Sequence, residues 1–523
     1  MFLRFVIQKK FELTAILIFL LSLFLSIYFS LFNFDHHHPQ IMFVRAKQLL
    51  SGLTPYKEIL MLYGPLTTLI NAFAINLFGE KILSVFIINS LFYGLTFPVF
   101  FAILKNLEIN KITAILSIFL LFLIHPSIAL PWPNYYAYFF LILGIYNLTK
   151  KNIFKYNFFL AGLFWSLACL SRQTFIVPLF LSIVLIVVFE FCVEKKKDYK
   201  KYIVSLLSGF FIPIFIFLSY LFLNNIFTYW TSITFDISGS YLPELRNPND
   251  IKIFNYFYYT YNLLSPLLSN LFLSIKNLDP RFFFYLLIFT FNIFAFIFFF
   301  KKRYNIKVFY LTFVSLFLCS ENIHLVEIFR MSTGLALGFI PLIFFLGKKK
   351  IFRYFLYLFI FILIFTWQGG KHNYTYEYHY KFSSDKVYSK SGYFNFQKFP
   401  KNVANFYEEF ENVIDDVHSN YTVANHYNHS ATPILGLMSK TSKYLVESYY
   451  DERFNKLYSN RLDVDLNNVL KNSNDFIIFY AANDENVLLK FKKNFFIYKK
   501  IKYPFDNLKY LFILLPKKVA IKS

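Results

Sequence analysis

The feature that most constrains this chain is a succession of uninterrupted apolar stretches, many of them about 20 residues long, separated by short polar connections that hold much of the lysine and arginine. A soluble domain mixes apolar and polar residues at a period of 2 or 3.6, and here that mixing is absent over whole stretches. The totals agree: 57% of the 523 residues are hydrophobic, only 16% are charged, and the mean hydropathy is +0.47. No single soluble core needs that many apolar side chains. The sequence therefore predicts a polytopic α-helical membrane protein of about eleven spans. They run from Phe11 to Phe32, then over 82–104, 111–128, 134–148, 157–170, 173–193, 202–223, 281–300, 307–319, 331–347 and 351–367. The first run is too long for a signal peptide and no small-residue cleavage site follows it, so it reads as an uncleaved span. Cys169, Cys192 and Cys319 lie in or at the ends of these runs, which excludes a disulfide-rich secreted scaffold.

A net charge of +23 would point to nucleic acid in a soluble protein. Here the basic residues cluster in alternate connections: Arg4, Lys9 and Lys10; Lys105 and Lys111; Lys150, Lys151 and Lys155; Lys195 to Lys201; Lys301 to Lys307; Lys348 to Arg353. That alternation is the positive-inside pattern, so the charge reports topology and not a nucleic-acid partner. It predicts a cytoplasmic N-terminus and, with an odd number of spans, places residues 368–523 on the far side of the membrane. Only the polar island Ser171, Arg172 and Gln173 divides two of the runs.

Beyond Trp367 the apolar runs shorten, and residues 368–523 read as a small soluble α/β domain, distinct from the membrane domain over 1–367. The pattern predicts an amphipathic helix over Lys401 to Asp416, strands over Tyr421 to Tyr427, Asp475 to Tyr480 and Lys509 to Leu515, and a helix over Glu485 to Lys493. No repeat and no cofactor fingerprint occurs in it.

Transporters place ionisable residues inside their spans, whereas these spans are almost free of charge and acids gather in the outer loops. That distribution points to chemistry at the outer membrane face. The first outer loop, residues 33–81, is the densest: Asp35 follows the first span closely, and Pro39 to Ser51 reads as an amphipathic interfacial helix. Its apolar side holds Met42, Ala46, Leu49 and Leu50; Gln40, Arg45, Lys47 and Gln48 lie mostly opposite. Leu66 to Phe78 reads as a second interfacial helix, ending at Gly79.

The order Asp35, amphipathic helix, Gly52, Pro55, Tyr56, Glu58, then Tyr63, Gly64, Pro65 and Leu66, resembles the first outer loop of the glycosyltransferase C superfamily. More narrowly, it is similar to the bacterial branch that includes the dolichyl-phosphate-mannose protein mannosyltransferase-like enzymes and the lipid A aminoarabinose transferase. The topology, the basic residue in LSRQ and the soluble tail share the resemblance; His36 stands where many relatives carry a second acid. The resemblance implies an enzyme of the bacterial plasma membrane that binds a polyprenyl-phosphate-linked sugar among the membrane lipids. That sugar passes, with inversion, to a glycan, lipid or protein acceptor on the outer face.

The resemblance implies Asp35 as general base, and an ionised carboxylate near the wet interface is chemically suited to take a proton from an acceptor hydroxyl. Glu58 and Tyr63 are candidates for substrate contact. Arg172, at the outer end of a span, suits a lipid phosphate, the bidentate partner of a guanidinium; snorkelling or pairing with Asp35 or Glu321 are its structural alternatives. Glu321, His324 and Arg330 form a third polar group on a later outer loop. His36 and His38 are the candidate ligands for a divalent metal, since alternate residues share a side of an extended segment. Two rival readings remain. A polysaccharide polymerase or ligase would depend on the long segment from Asn224 to Pro280, where Arg246 lies, and a lipid-linked sugar flippase would need polar residues inside the spans.

Overall fold

The computed structural model describes residues 2–32, 38–59, 61, 63–124, 132–150, 154–189, 199–237, 280–302, 305–319, 328–366, 386–417, 422–425, 476–504 and 509–517. Its helices are α1 (Phe2–Phe32), α2 (His38–Leu50), α3 (Pro65–Phe78), α4 (Ile82–Asn106), α5 (Lys111–Ile124), α6 (Pro133–Thr149), α7 (Lys155–Ser171) and α8 (Ile176–Phe189). After these come α9 (Tyr199–Leu223), the short α10 (Phe227–Thr231), α11 (Pro280–Lys302), α12 (Ile306–Leu318), α13 (Ile328–Leu346), α14 (Lys350–Thr366) and α15 (Lys401–Asp416). The described residues of each predicted apolar run are helical. Among the described residues, three stretches, Phe11–Leu31, Ile82–Asn106 and Lys200–Leu223, are long and apolar enough to cross a membrane. The expectation of eleven spans thus stands as eleven helices, of which three have spanning length and composition over their described residues.

These helices expose apolar side chains, and their mostly apolar core also buries a few short polar ones. On α1, Leu13, Leu17, Leu20 and Phe24 are exposed while Ser22, Ser26 and Ser30, at four-residue spacing, are buried. Ser26 Oγ donates to Ser90 Oγ at 2.9 Å and Ser22 Oγ to the Gly94 carbonyl at 3.1 Å, which ties α1 to α4. The crossing of α7 and α9 is backbone against backbone. A Cβ on Gly162 would stand 2.1 Å from the Leu206 carbonyl oxygen, and one on Gly209 would stand 2.0 Å from the Phe159 carbonyl oxygen. Gly162→Ala is therefore expected to separate the two helices and to cost about 2 kcal/mol, read as a lowered midpoint of thermal unfolding in detergent; an unchanged midpoint would refute the close crossing.

Contacts sort the helix ends into two groups. At one end Lys105 Nζ lies 3.6 Å above the Phe11 ring, Thr113 Oγ1 donates to the Gly347 carbonyl, and Lys307 Nζ donates to the carbonyls of Thr149 and Lys150 at the C-terminal end of α6. A cation there also suits the negative end of the helix dipole. This end gathers several of the basic connections. The opposite end gathers the first loop, Ser171 to Gln173, the start of α6, the segment after α9 and the C-terminal domain.

That domain has a hairpin, β1 (Lys386–Tyr388) with β2 (Lys398–Pro400), and a mixed sheet of β3 (Thr422–Asn425), β4 (Phe476–Ala482), β5 (Phe495–Lys502) and β6 (Tyr510–Pro516). The sheet order is β3-β4-β6-β5, with β3 parallel to β4 and the other pairs antiparallel. Helix α15 has the predicted bounds and covers one face through Phe406, which meets Tyr503, and Phe410, which meets Phe479. The other face is covered by Leu488 and Phe491, from a segment that is a 3₁₀ helix (Glu485–Phe491) where the sequence pattern predicts an ordinary one. The predicted strand at 421–427 is described only over 422–425.

Helix α2 departs from the sequence reading. The pattern predicts a helix lying in the interface with its polar side outward, yet Gln40, Arg45 and Gln48 are as buried as Ile41 to Val44. The reason is that the C-terminal domain packs on it: Phe394, Phe399 and Tyr407 join the same core as the α2 side chains. Helix α3 keeps the interfacial pattern, with Leu69, Phe73 and Leu77 exposed on one stripe and Thr67, Thr68 and Asn71 buried opposite.

Candidate functional site

The first loop is shaped by its turn chemistry. Gly52 closes α2 at φ +83°, the left-handed conformation that glycine adopts without a Cβ clash, and the Leu53 N–H donates to the Gln48 carbonyl at 3.2 Å. From Thr54 the chain folds into a tight turn in which the N–H groups of Glu58 and Ile59 both reach the Thr54 carbonyl, and Glu58 Oε2 accepts from the Thr54 N–H at 2.7 Å. Glu58, a candidate for substrate contact, thus also fastens its own loop. At the centre of the turn Tyr56 is held at φ +64°, a conformation rare for an aromatic residue and sustained only where the surroundings compensate. Its ring is fully buried with Leu221, Ile226 and Ile233, and its hydroxyl accepts from Gln173 Nε2 at 3.5 Å. Burial pushes the Tyr56 hydroxyl far above the usual phenol range, against the pull of Gln173 and Arg45, so it stays neutral at any working pH.

Next, Gly64 brings the loop onto the end of α7. A Cβ there would lie 1.9 Å from the Leu170 carbonyl oxygen, and Thr67 Oγ1 donates to the Ser171 carbonyl at 2.9 Å. This contact sets Tyr63 beside Arg172. The Arg172 guanidinium carbon lies 5.9 Å from the centre of the Tyr63 ring, and the Arg45 guanidinium carbon, from α2, lies 5.6 Å from the same centre. The edge of Trp132, just before α6, meets the ring at 5.0 Å. Arg45 is 1% exposed and Arg172 4%, so Arg172 does not snorkel to an open surface. Two guanidiniums are sustained at such burial only by anionic or hydrogen-bonding partners, and their fork geometry is the one that grips a carboxylate or phosphate from two directions.

Of the sequence-predicted site residues, the structure brings Tyr63 and Arg172 together and sets Glu58 in the same loop. Asp35, His36, Glu321 and His324 lie outside the described residues; His38 begins α2 and Arg330 lies in the first turn of α13, with their side chains also outside them. Among the described residues no group of three His, Cys, Asp or Glu side chains is placed to hold a metal. Sequence reasoning assigns no site role to Trp132 or Gln173 and places Arg45 on a solvated face. The available signal is Arg45 itself: it follows Ile41, Met42, Phe43 and Val44 directly, so a buried guanidinium is implied if all sides of the helix are covered. Comparison with models of known protein families and with curated proteins gave no match, so the likeness to glycosyltransferases rests on the sequence alone.

Proposed function

We propose that this protein is an integral membrane glycosyltransferase. It moves a sugar from a polyprenyl-phosphate donor to a cell-envelope acceptor, a glycan, a lipid or a protein, at the face where the first loop and the C-terminal domain meet. The observation that carries the reading is the convergence of two buried arginines, Arg45 and Arg172, on Tyr63 in the loop that begins at Asp35. In the reaction the acceptor hydroxyl oxygen bonds to the anomeric carbon from the side opposite the phosphate, which inverts that centre. The phosphate oxygen leaves with the bonding pair, and Asp35 takes the hydroxyl proton. Negative charge grows on the departing phosphate, and guanidiniums fixed in a dry site oppose it without reorganisation. Two substrates held at one membrane face gain further from proximity. With the basic connections cytoplasmic, as the charge rule directs, this face is extracytoplasmic.

The test is transfer of labelled sugar by the purified protein in lipid vesicles, from a panel of synthetic polyprenyl-phosphate sugars and, in a second arm, from polyprenyl-diphosphate oligosaccharides. Transfer from a monophosphate donor supports the reading. Transfer only from diphosphate oligosaccharides, lost in Arg246→Ala and intact in Asp35→Asn, would replace it with the polymerase reading. A chelator added to the active arm leaves the rate unchanged unless His36 and His38 hold an essential metal.

A further inference from the structure

The C-terminal domain reaches the arginine pair through α2. Gln40 is fully buried, and its Nε2 donates to the Tyr407 hydroxyl of α15 at 3.1 Å, a contact between residues 367 apart in sequence. Further along α2, Lys47 Nζ pairs with Glu80 Oε2 at 3.0 Å and lies 5.9 Å from the Tyr393 ring, next to the hairpin. Burial, and then the carboxylates of Glu80, Glu411 and Asp415, push the Tyr393 hydroxyl up to about 12, so this contact stays uncharged on the tyrosine side. Phe394 and Phe399 pack edge to face at 5.2 Å, and Phe394 meets Tyr407 at 4.3 Å, which makes one aromatic block over the helix. Arg45 lies between Gln40 and Lys47 on that same helix.

We propose that Tyr407 is a positioning residue. By accepting from Gln40 it fixes the rotation of α2, and so holds the Arg45 guanidinium over Tyr63; the C-terminal domain is in this sense a wall of the anion site. The proposal rests on the reading of that site as a phosphate site. The Tyr407 hydroxyl takes one N–H of the buried Gln40 amide, and removing it costs a core hydrogen bond that a turn of α2 is expected to relieve. A small rotation of a helix displaces an arginine head by more than a hydrogen-bond tolerance.

The experiment measures binding of undecaprenyl phosphate to the full-length protein in nanodiscs, which needs no turnover. Arg45→Ala and Arg172→Ala test the site, Tyr407→Phe and Gln40→Leu test the positioning, and Phe491→Leu is the control. Phe491 lies in the core on the sheet face away from α15, so its change weakens the domain without touching α2. The expected result is loss of binding in both arginine variants and a loss of about 5- to 30-fold in Tyr407→Phe. The Gln40→Leu/Tyr407→Phe double variant should be no weaker than the weaker single variant, and Phe491→Leu should bind as wild type. Binding lost in the arginine variants but intact in Tyr407→Phe overturns the positioning role alone. Equal weakening in Phe491→Leu and Tyr407→Phe overturns it too, as general destabilisation. Unchanged binding in both arginine variants removes the phosphate site and the proposal with it.

Discussion

On the proposed reaction, Asp35→Asn is expected to lower sugar transfer by about 10²- to 10⁴-fold while polyprenyl-phosphate binding stays at the wild-type level. The substitution keeps the size and shape of the side chain while removing its charge and its ability to accept a proton at neutral pH. A step that needs the acceptor hydroxyl deprotonated during attack loses that contribution in full. A role in fastening the loop or in pairing with a buried arginine predicts a different pattern. In that case the amide would leave a guanidinium uncompensated, and both binding and the unfolding midpoint would fall together with transfer. Single-turnover transfer, equilibrium binding and thermal unfolding measured on the same preparation separate the two. Transfer at the wild-type rate would move the base elsewhere, with Glu58 and Glu321 the next residues to replace. The helices on either side of residues 33–37 are anchored, α1 through Ser26 to Ser90 on α4 and α2 through Gln40 to Tyr407.

Hydropathy makes the helices legible, because lipid imposes long apolar runs. Helix α15 is legible to its bounds for a related reason: Val403, Phe406, Tyr407, Phe410 and Val413 repeat at helical spacing against an otherwise polar sequence. Strand β5 is not legible. Its pairing with β6 shifts register between Ile497 and Lys499, so buried Phe495 and Ile501 are separated by exposed Tyr498, Lys499 and Lys500, and the two-residue alternation that marks a strand is broken. The burial of α2 is hidden for a different reason. Polar residues opposite apolar ones announce a solvated face when nothing covers it, and what covers this one is a domain more than 300 residues away in sequence, a contact that no local pattern encodes. The same holds for the arginine pair. Each guanidinium is visible alone, but their meeting on Tyr63 depends on Gly64 folding the loop onto α7.

That dependence makes Gly64→Ala the second large effect to expect, with transfer falling about 100-fold and binding of polyprenyl phosphate weakened alongside it. Gly64 has φ −60° and ψ 150°, a conformation open to any residue, so alanine is not strained in its own backbone. The difficulty is entirely its neighbour: the added methyl would stand 1.9 Å from the Leu170 carbonyl oxygen and 2.5 Å from the carbonyl carbon, and neither is a side-chain end that can swing away. Restoring a contact of even 3.0 Å requires the loop and the end of α7 to part by more than 1 Å. Tyr63 and Thr67 move with the loop and Arg172 stays with α7, so the guanidinium loses its place over the ring and the Thr67 to Ser171 hydrogen bond opens. Gly79→Ala supplies the comparison. Gly79 sits at φ +91° and ψ 168°, a region kept almost entirely by glycine, and a methyl added there would meet nothing within 4 Å, so alanine costs about 3 kcal/mol of backbone strain at the end of α3 without pushing any element aside. If the tight contact positions the arginines, Gly64→Ala loses transfer and binding well beyond Gly79→Ala at matched stability. Equal behaviour of the two variants would mean that the loop and α7 need not touch for the site to work, and Arg172 would then have to act without Tyr63.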